Sequence, residues 1–123
     1  MEIIQTYLYK NSRNSYDQED YYTDWQTAWL YYLLTEDEPK KLRYYIGLEQ
    51  EYATFNGPSD VRKLDQNLVA IGNGFEDSKD EIALDKNHLF ELIDQWEKLT
   101  YTVQPSKIVI TREGNRFTIE GTD

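Results

Sequence analysis

The sequence predicts an α+β fold in which an antiparallel β-sheet packs against two amphipathic helices, the second of which precedes a β-hairpin. Three patterns among the 123 residues support this prediction. Apolar and polar residues alternate near the N-terminus, apolar residues recur every three or four positions in two later segments, and alternation returns in two short C-terminal runs. Because we find no internal repeat and no linker-like segment, we expect one domain over residues 1–123.

The first element is predicted to be a strand over Glu2–Tyr9, where β-branched and aromatic residues alternate loosely with polar ones. The small polar residues of Asn11–Ser15 then break the pattern, as turn formers do.

A helix is predicted from about Asp20 to Leu34, with acidic residues near its start, where the helix dipole favours negative charge. Pro39 is expected to mark its end. The spacing that predicts one helical face is carried by Tyr21, Trp25, Ala28, Trp29, Tyr32 and Leu33.

The middle of the chain gives weaker patterns. Leu42–Phe55 is compatible with a strand or a helix, although its alternation favours a strand. Asn56–Asp60 has the composition of a loop. Asn67–Phe75 predicts a strand that Gly72 and its neighbours interrupt, and a short strand is expected over Glu81–Leu84.

The C-terminal third gives the clearest pattern. A helix over His88–Leu99 is predicted, with Asp85 or Asn87 as its N-cap. A hairpin of Lys107–Arg112 and Arg116–Gly121 should follow. The apolar positions of the helix are Leu89, Leu92, Ile93, Trp96 and Leu99.

Composition excludes several classes of function. The chain has no cysteine, so disulfides, thiolate metal sites and cysteine nucleophiles are ruled out. Its 23 acidic against 13 basic residues give a net charge of −10, which repels nucleic acid and anionic membranes and attracts basic partners. With no apolar run near the ~20 residues of a membrane span and no secretory pattern in Met1–Lys10, we expect a cytoplasmic protein.

Catalysis and metal binding find little support in the sequence. The one histidine, His88, lies in the first turn of a predicted helix with no nucleophile tied to it by a motif. Glu49 and Glu51 would share a face of a strand, which leaves a carboxylate-based hydrolase as an alternative. The acidic loop around Lys79 lacks the spacing of an EF-hand. We therefore predict no enzyme, no metal and no cofactor.

Two acidic clusters suggest a binding surface. Residues 14–38 hold seven acids and no basic residue, interleaved with aromatics, and residues 76–97 hold eight acids. Aromatic side chains surrounded by charge are typical of binding hot spots. The predicted partner face consists of Asp17, Glu19, Asp20, Tyr21, Tyr22, Asp24, Glu36, Asp37 and Glu38, with Glu76, Asp77, Asp80 and Glu81 as the second choice.

A resemblance sharpens this prediction. Residues 81–99, whose predicted helix ends in Trp-Glu-Lys-Leu, and the following Pro105-Ser-Lys-Ile-Val-Ile-Thr-Arg segment resemble small bacterial immunity proteins. Those proteins are encoded beside polymorphic or contact-dependent growth-inhibition toxins and neutralise the toxin by binding it. The resemblance lies in the core pattern of the C-terminal third, so it carries over no partner-contacting residue.

The resemblance and the charge together suggest a non-enzymatic protein that neutralises a basic toxin domain, such as a nuclease. The alternatives are a nucleic-acid mimic that inhibits a DNA-binding enzyme and the carboxylate-based hydrolase. If the first acidic cluster is the binding face, reversing Asp20 and Asp24 to lysine should weaken binding without unfolding the protein.

Overall fold

A computed structural model describes residues 2–18, 24–48, 50–54, 59–73 and 81–123. Within them the chain forms eight strands, three α-helices and one π-helical turn, which confirms the α+β class. The elements follow in the order β1 (Ile3–Ser12), β2 (Ser15–Gln18), α1 (Trp25–Glu36), α2 (Pro39–Gly47), β3 (Tyr52–Thr54), β4 (Ser59–Lys63), β5 (Leu68–Asn73), β6 (Ile82–Asp85), α3 (Lys86–Glu97), the π-helical turn (Lys98–Val103), β7 (Lys107–Glu113) and β8 (Arg116–Thr122). None of the described helices is long and apolar enough to cross a bilayer.

The strands form two antiparallel four-stranded sheets where the sequence predicted one. Sheet A has the order β2-β1-β7-β8, and its central ladder pairs the N-terminal strand with the first strand of the C-terminal hairpin. Sheet B is a meander of β3, β4, β5 and β6. Its first strand, of three residues, lies within the Leu42–Phe55 segment whose alternation favoured a strand, and its second, of five residues, was not predicted.

The core lies between the sheets and the helices. Helix α1 packs on β4 and β5, α2 packs on α3, and α3 contacts both β6 and β8. The inner face of sheet A contributes Leu8 and Ile108, and sheet B contributes Val61 and Ile71, all fully buried in one hydrophobic cluster. Burial of each such side chain stabilises the fold by roughly 1.5–3 kcal/mol.

The strand interpretation of Leu42–Leu48 is wrong, because α2 occupies this segment as far as Gly47. Leu42 and Ile46, four positions apart, are fully buried, whereas Tyr44 between them is 62% exposed. The pair fits a helix period as well as alternation, so the sequence was ambiguous here. Pro39, expected to end the first helix, is the first residue of α2, where its missing N–H costs no hydrogen bond.

The start of the first predicted helix can be compared with the structure only from Asp24 onwards. Helix α1 begins at Trp25, and the part of the prediction from Asp20 to Thr23 lies outside the described residues. Asp17, which was expected near the helix start, lies in β2. The predicted loop at Asn56–Asp60 also needs correction, since β4 already begins at Ser59.

The C-terminal prediction is confirmed. Asp85 is the N-cap of α3, and its side chain accepts hydrogen bonds from the N–H groups of Asn87 (2.8 Å) and His88 (3.4 Å). Strands β7 and β8 form the predicted hairpin. What the sequence did not indicate is the π-helical turn after α3, a rare conformation that is common at functional sites.

Candidate partner-binding site

A recess opens beside the edge of sheet A, between β2, the second half of α1, the link to α2 and the π-helical turn. Its volume is about 240 Å³. We call it the aromatic pocket, because four ring residues and two acids form much of its lining. These are Tyr16, Tyr31, Trp96 and Tyr101, with Asp17 and Asp37.

Hydrogen bonds fix two of the pocket walls. The hydroxyl of Tyr16 donates to the carbonyl of Pro105 at 2.5 Å, and the hydroxyl of Tyr31 donates to the carbonyl of Tyr16 at 2.6 Å. Trp96 meets both tyrosine rings edge to face, with centroids 6.4 and 6.3 Å apart. These contacts hold the walls in place before any partner arrives.

The two tyrosine hydroxyls remain protonated over the physiological pH range. Burial, together with the charge of Asp17, raises the pKa of Tyr31 to about 12. Burial also raises the pKa of Tyr16, with a contribution from Asp123. Each hydroxyl therefore keeps its proton and continues to donate it to a backbone carbonyl.

The structure brings together two predicted acids that are distant in the sequence. Asp17 is exposed on β2, and Asp37 follows α1. The Oδ1 atom of Asp37 accepts the N–H of Glu38 at 2.8 Å and lies 3.9 Å from the ammonium nitrogen of Lys41. Lys41 is exposed and Asp37 is 27% exposed, so this long ion pair contributes little to stability.

Two neighbouring acids of the predicted face have other surroundings. Glu38 is exposed at the N-terminus of α2. Glu36 turns towards sheet B, where its Oε1 accepts the N–H of Ser59 at 2.7 Å and its Oε2 is buried with no partner among the described residues. Burial, opposed by the Ser59 bond and reinforced by Asp60, raises the pKa of Glu36 to about 7. At neutral pH this carboxyl is therefore only partly charged.

Asp24 forms an ion pair within the fold. Its two carboxylate oxygens accept hydrogen bonds from Arg112 at 2.7 and 3.1 Å, and the side chain is only 9% exposed. Burial alone would raise the pKa of Asp24, but the hydrogen bonds of Arg112 and Thr27 outweigh it and hold that pKa below its usual value. A lysine here would face Arg112 in a half-buried site. The expectation that Asp24 can be reversed without unfolding the protein is thus corrected.

Of the remaining predicted residues, Glu81 is described and pairs with Arg62, whose guanidinium nitrogen lies 2.5 Å from its Oε1. Glu19, Asp20, Tyr21, Tyr22, Glu76, Asp77 and Asp80 lie outside the described residues. Glu49 of the hydrolase alternative also lies outside them, and Glu51 is exposed.

The aromatic residues of the first cluster form a continuous row of rings. Trp25 is 45% exposed and lies 5.4 Å from Trp29, which lies 5.9 Å from Tyr32. Tyr32 is 6.0 Å from Tyr31 in the pocket wall. The row thus connects a solvent-exposed tryptophan to the pocket. Sequence analysis missed Tyr101, since only the π-helical geometry brings it to the pocket.

The histidine has a structural role. His88 is 14% exposed, and its Nε2 accepts the N–H of Phe117 on β8 at 3.1 Å. No group of three or more histidine or acidic residues suited to a metal occurs among the described residues. Compared with protein-family models, curated proteins and solved structures, the chain matches none.

The Asp24–Arg112 pair should be a major contributor to stability. We expect Asp24→Ala to lower the free energy of unfolding by about 3 kcal/mol, because Arg112 would be left buried without its counter-ion. Arg112→Met in the same chain should recover part of that loss. Urea denaturation of the two single variants and the double variant measures this coupling. Additive losses would show that the pair does not stabilise the fold as a unit.

Glu36 should make stability fall as pH rises. The pKa of Glu36 is about 7 in the fold against 4.5 for the free side chain. The protonated carboxyl therefore adds fully to the free energy of unfolding below pH 4.5, and this stabilisation is lost as pH rises through 7. Glu36→Gln retains an oxygen for the Ser59 N–H. Allowing for the partial exposure of the site, we expect its free energy of unfolding above pH 8 to exceed that of the parent protein by about 1–2 kcal/mol. Urea denaturation at pH 5 and pH 8 tests this. An equal effect of the substitution at both pH values would contradict it.

Proposed function

We propose that the chain is a non-enzymatic binding protein of the cytoplasm that neutralises a cognate basic toxin domain, as an immunity protein or antitoxin-like inhibitor. The observation that supports this function best is the aromatic pocket, where Asp17 and Asp37 flank fixed aromatic walls on a chain with a net charge of −10. The partner is a protein with a positively charged surface, such as a nuclease. Neither nucleic acid nor a membrane is a partner.

The charge and the pocket act at different stages of binding. The net negative charge of the chain raises the rate at which a basic protein is encountered, and this effect weakens with salt. Aromatic walls supply apolar contact area at a small cost in conformational entropy, because their hydrogen bonds already hold them in position. A partner would therefore be attracted by the whole surface and retained at the pocket.

The geometry favours binding over catalysis. The pocket carboxylate of Asp17 is exposed to solvent, and the hydroxyl protons of Tyr16 and Tyr31 are committed to backbone carbonyls. A general acid has to donate a proton to the substrate, and the protons of these two hydroxyls already have backbone acceptors. These groups are better suited to recognising a cation than to transferring a proton.

The first test is a pull-down from the source organism with the tagged protein as bait, read by mass spectrometry. We expect a stoichiometric basic protein domain that dissociates at high salt. The recovered domain should arrest growth when expressed alone and lose this effect when expressed with the bait. A partner that is not toxic would contradict the proposal. A DNA-binding enzyme would support a nucleic-acid mimic in its place.

Kinetics of the recovered complex test the binding face. We compare Asp17→Asn/Asp37→Asn with Glu113→Gln/Glu120→Gln, which removes the same charge at exposed positions of β7 and β8. Both variants should slow association slightly. Only the pocket variant should speed dissociation, by roughly tenfold or more, because it alone loses direct contacts. If both variants dissociate like the parent protein, the partner binds elsewhere.

A further inference from the structure

The aromatic pocket is small for a ligand site. At about 240 Å³ it lies below the roughly 300–1,000 Å³ of pockets that hold drug-sized ligands or cofactors. It is open on the surface, beside the exposed Asp17 and the 47% exposed Tyr101. A recess of this size at the surface suits one side chain of another molecule.

Five polar side chains of the pocket offer a ligand only lone pairs, whereas Asn14, Ser15, Trp96 and Tyr101 also carry N–H or O–H groups. The hydroxyls of Tyr16 and Tyr31 donate their protons to backbone carbonyls, as does the hydroxyl of Thr35, whose oxygen lies 3.1 Å from the Tyr31 carbonyl oxygen. What these three groups can offer a ligand is therefore their lone pairs. Asp17 and Asp37 add carboxylate acceptors. No lysine or arginine is found among the described residues that line the pocket.

An acceptor-rich, aromatic and negatively charged recess requires a ligand that donates hydrogen bonds and carries positive charge. Ammonium and guanidinium groups meet both needs, since they bind carboxylates through charge-assisted hydrogen bonds and also bind the faces of aromatic rings. Lys41 already illustrates the attraction from within the chain, with its ammonium nitrogen 3.9 Å from Asp37. A neutral or anionic ligand would supply no positive charge to the exposed carboxylate of Asp17.

We infer that the aromatic pocket receives the cationic end of a single lysine or arginine side chain of the partner. This inference rests on the proposed function, because it names the group through which the toxin domain is held. The π-helical turn contributes Tyr101 to the lining of the pocket. Ring contacts continue beyond Tyr31 through Tyr32 and the buried Trp29 to Trp25 and so tie the pocket wall to the core.

The test uses small probes, so it does not depend on the toxin. The full chain is titrated with the N-acetyl methylamides of lysine and arginine, with the neutral norleucine and citrulline analogues, and with spermidine as a free cation, and chemical shifts are followed by NMR. We expect weak, saturable binding of the lysine or arginine probe, with shifts confined to residues around the pocket. The neutral analogues should bind at least tenfold more weakly.

Matched variants separate specific binding from general charge attraction. Asp17→Asn/Asp37→Asn should weaken binding of the cationic probe about tenfold, whereas Glu113→Gln/Glu120→Gln should change it less than twofold. Tyr101→Ala should also weaken it. Equal binding of norleucine and lysine analogues, or no saturable shift, would overturn the inference. If spermidine bound far more tightly than both amino-acid probes, the ligand of the pocket would be a free polyamine and not a lysine or arginine side chain.

The inference and the proposed function fail separately. A toxin complex that survives Asp17→Asn/Asp37→Asn unchanged would overturn the pocket assignment and leave the neutralising function intact. Saturable binding of the lysine probe by a chain whose captured partner is not toxic would instead overturn the proposed function, and the basic side chain would belong to a partner of another kind.

Discussion

The pairing of β1 with β7 is the constraint on which the rest of the structure depends. It joins segments about a hundred residues apart, from Ile3 opposite Glu113 to Tyr9 opposite Lys107. Strand β2 turns back from the end of β1, and the π-helical turn leads into β7, so this ladder sets Tyr16 against Pro105. The aromatic pocket is thus a product of long-range pairing. It can form only after the two ends of the chain have met, at the entropic cost of closing a long loop.

Single side chains from the helices protect both edges of sheet A. Tyr31 on α1 donates to a carbonyl of β2, and His88 on α3 accepts an N–H of β8. At β6, an edge of sheet B, the side-chain amide of Asn115 donates to the carbonyl of Ala83 at 3.2 Å. Unpaired edge groups invite strand addition by another chain, and these contacts occupy some of them. Because these edge groups are occupied, we expect a partner to bind through side chains in the pocket and not by adding a strand to a sheet.

Sequence reasoning succeeded where local pattern decides structure and failed where distant residues decide it. The i, i+3, i+4 spacing of α3 was sufficient, because neighbours on one helix create the buried face. Helix α2 was ambiguous, since Leu42 and Ile46 satisfy two periods at once. The roles of Asp24 and Glu36 depend on Arg112 and Ser59, which follow them by 88 and 23 positions. The residues next to an acid in the sequence do not show whether its side chain is bound within the fold or exposed to solvent. The predicted partner face therefore included acids of both kinds.

This division among the acids links stability to binding. Asp24 stabilises the fold through its ion pair, whereas Asp17 and Asp37 add negative charge to the lining of the pocket, beside Tyr16, Tyr31 and Trp96. A cation bound at the pocket would pair with the exposed carboxylate of Asp17 and contact walls drawn from β2, α1 and α3. Since the unfolded chain has no such pocket, a partner at a hundred times its Kd would add about 2.7 kcal/mol to the free energy of unfolding. Under the proposed function, binding of the toxin domain would therefore also stabilise this fold.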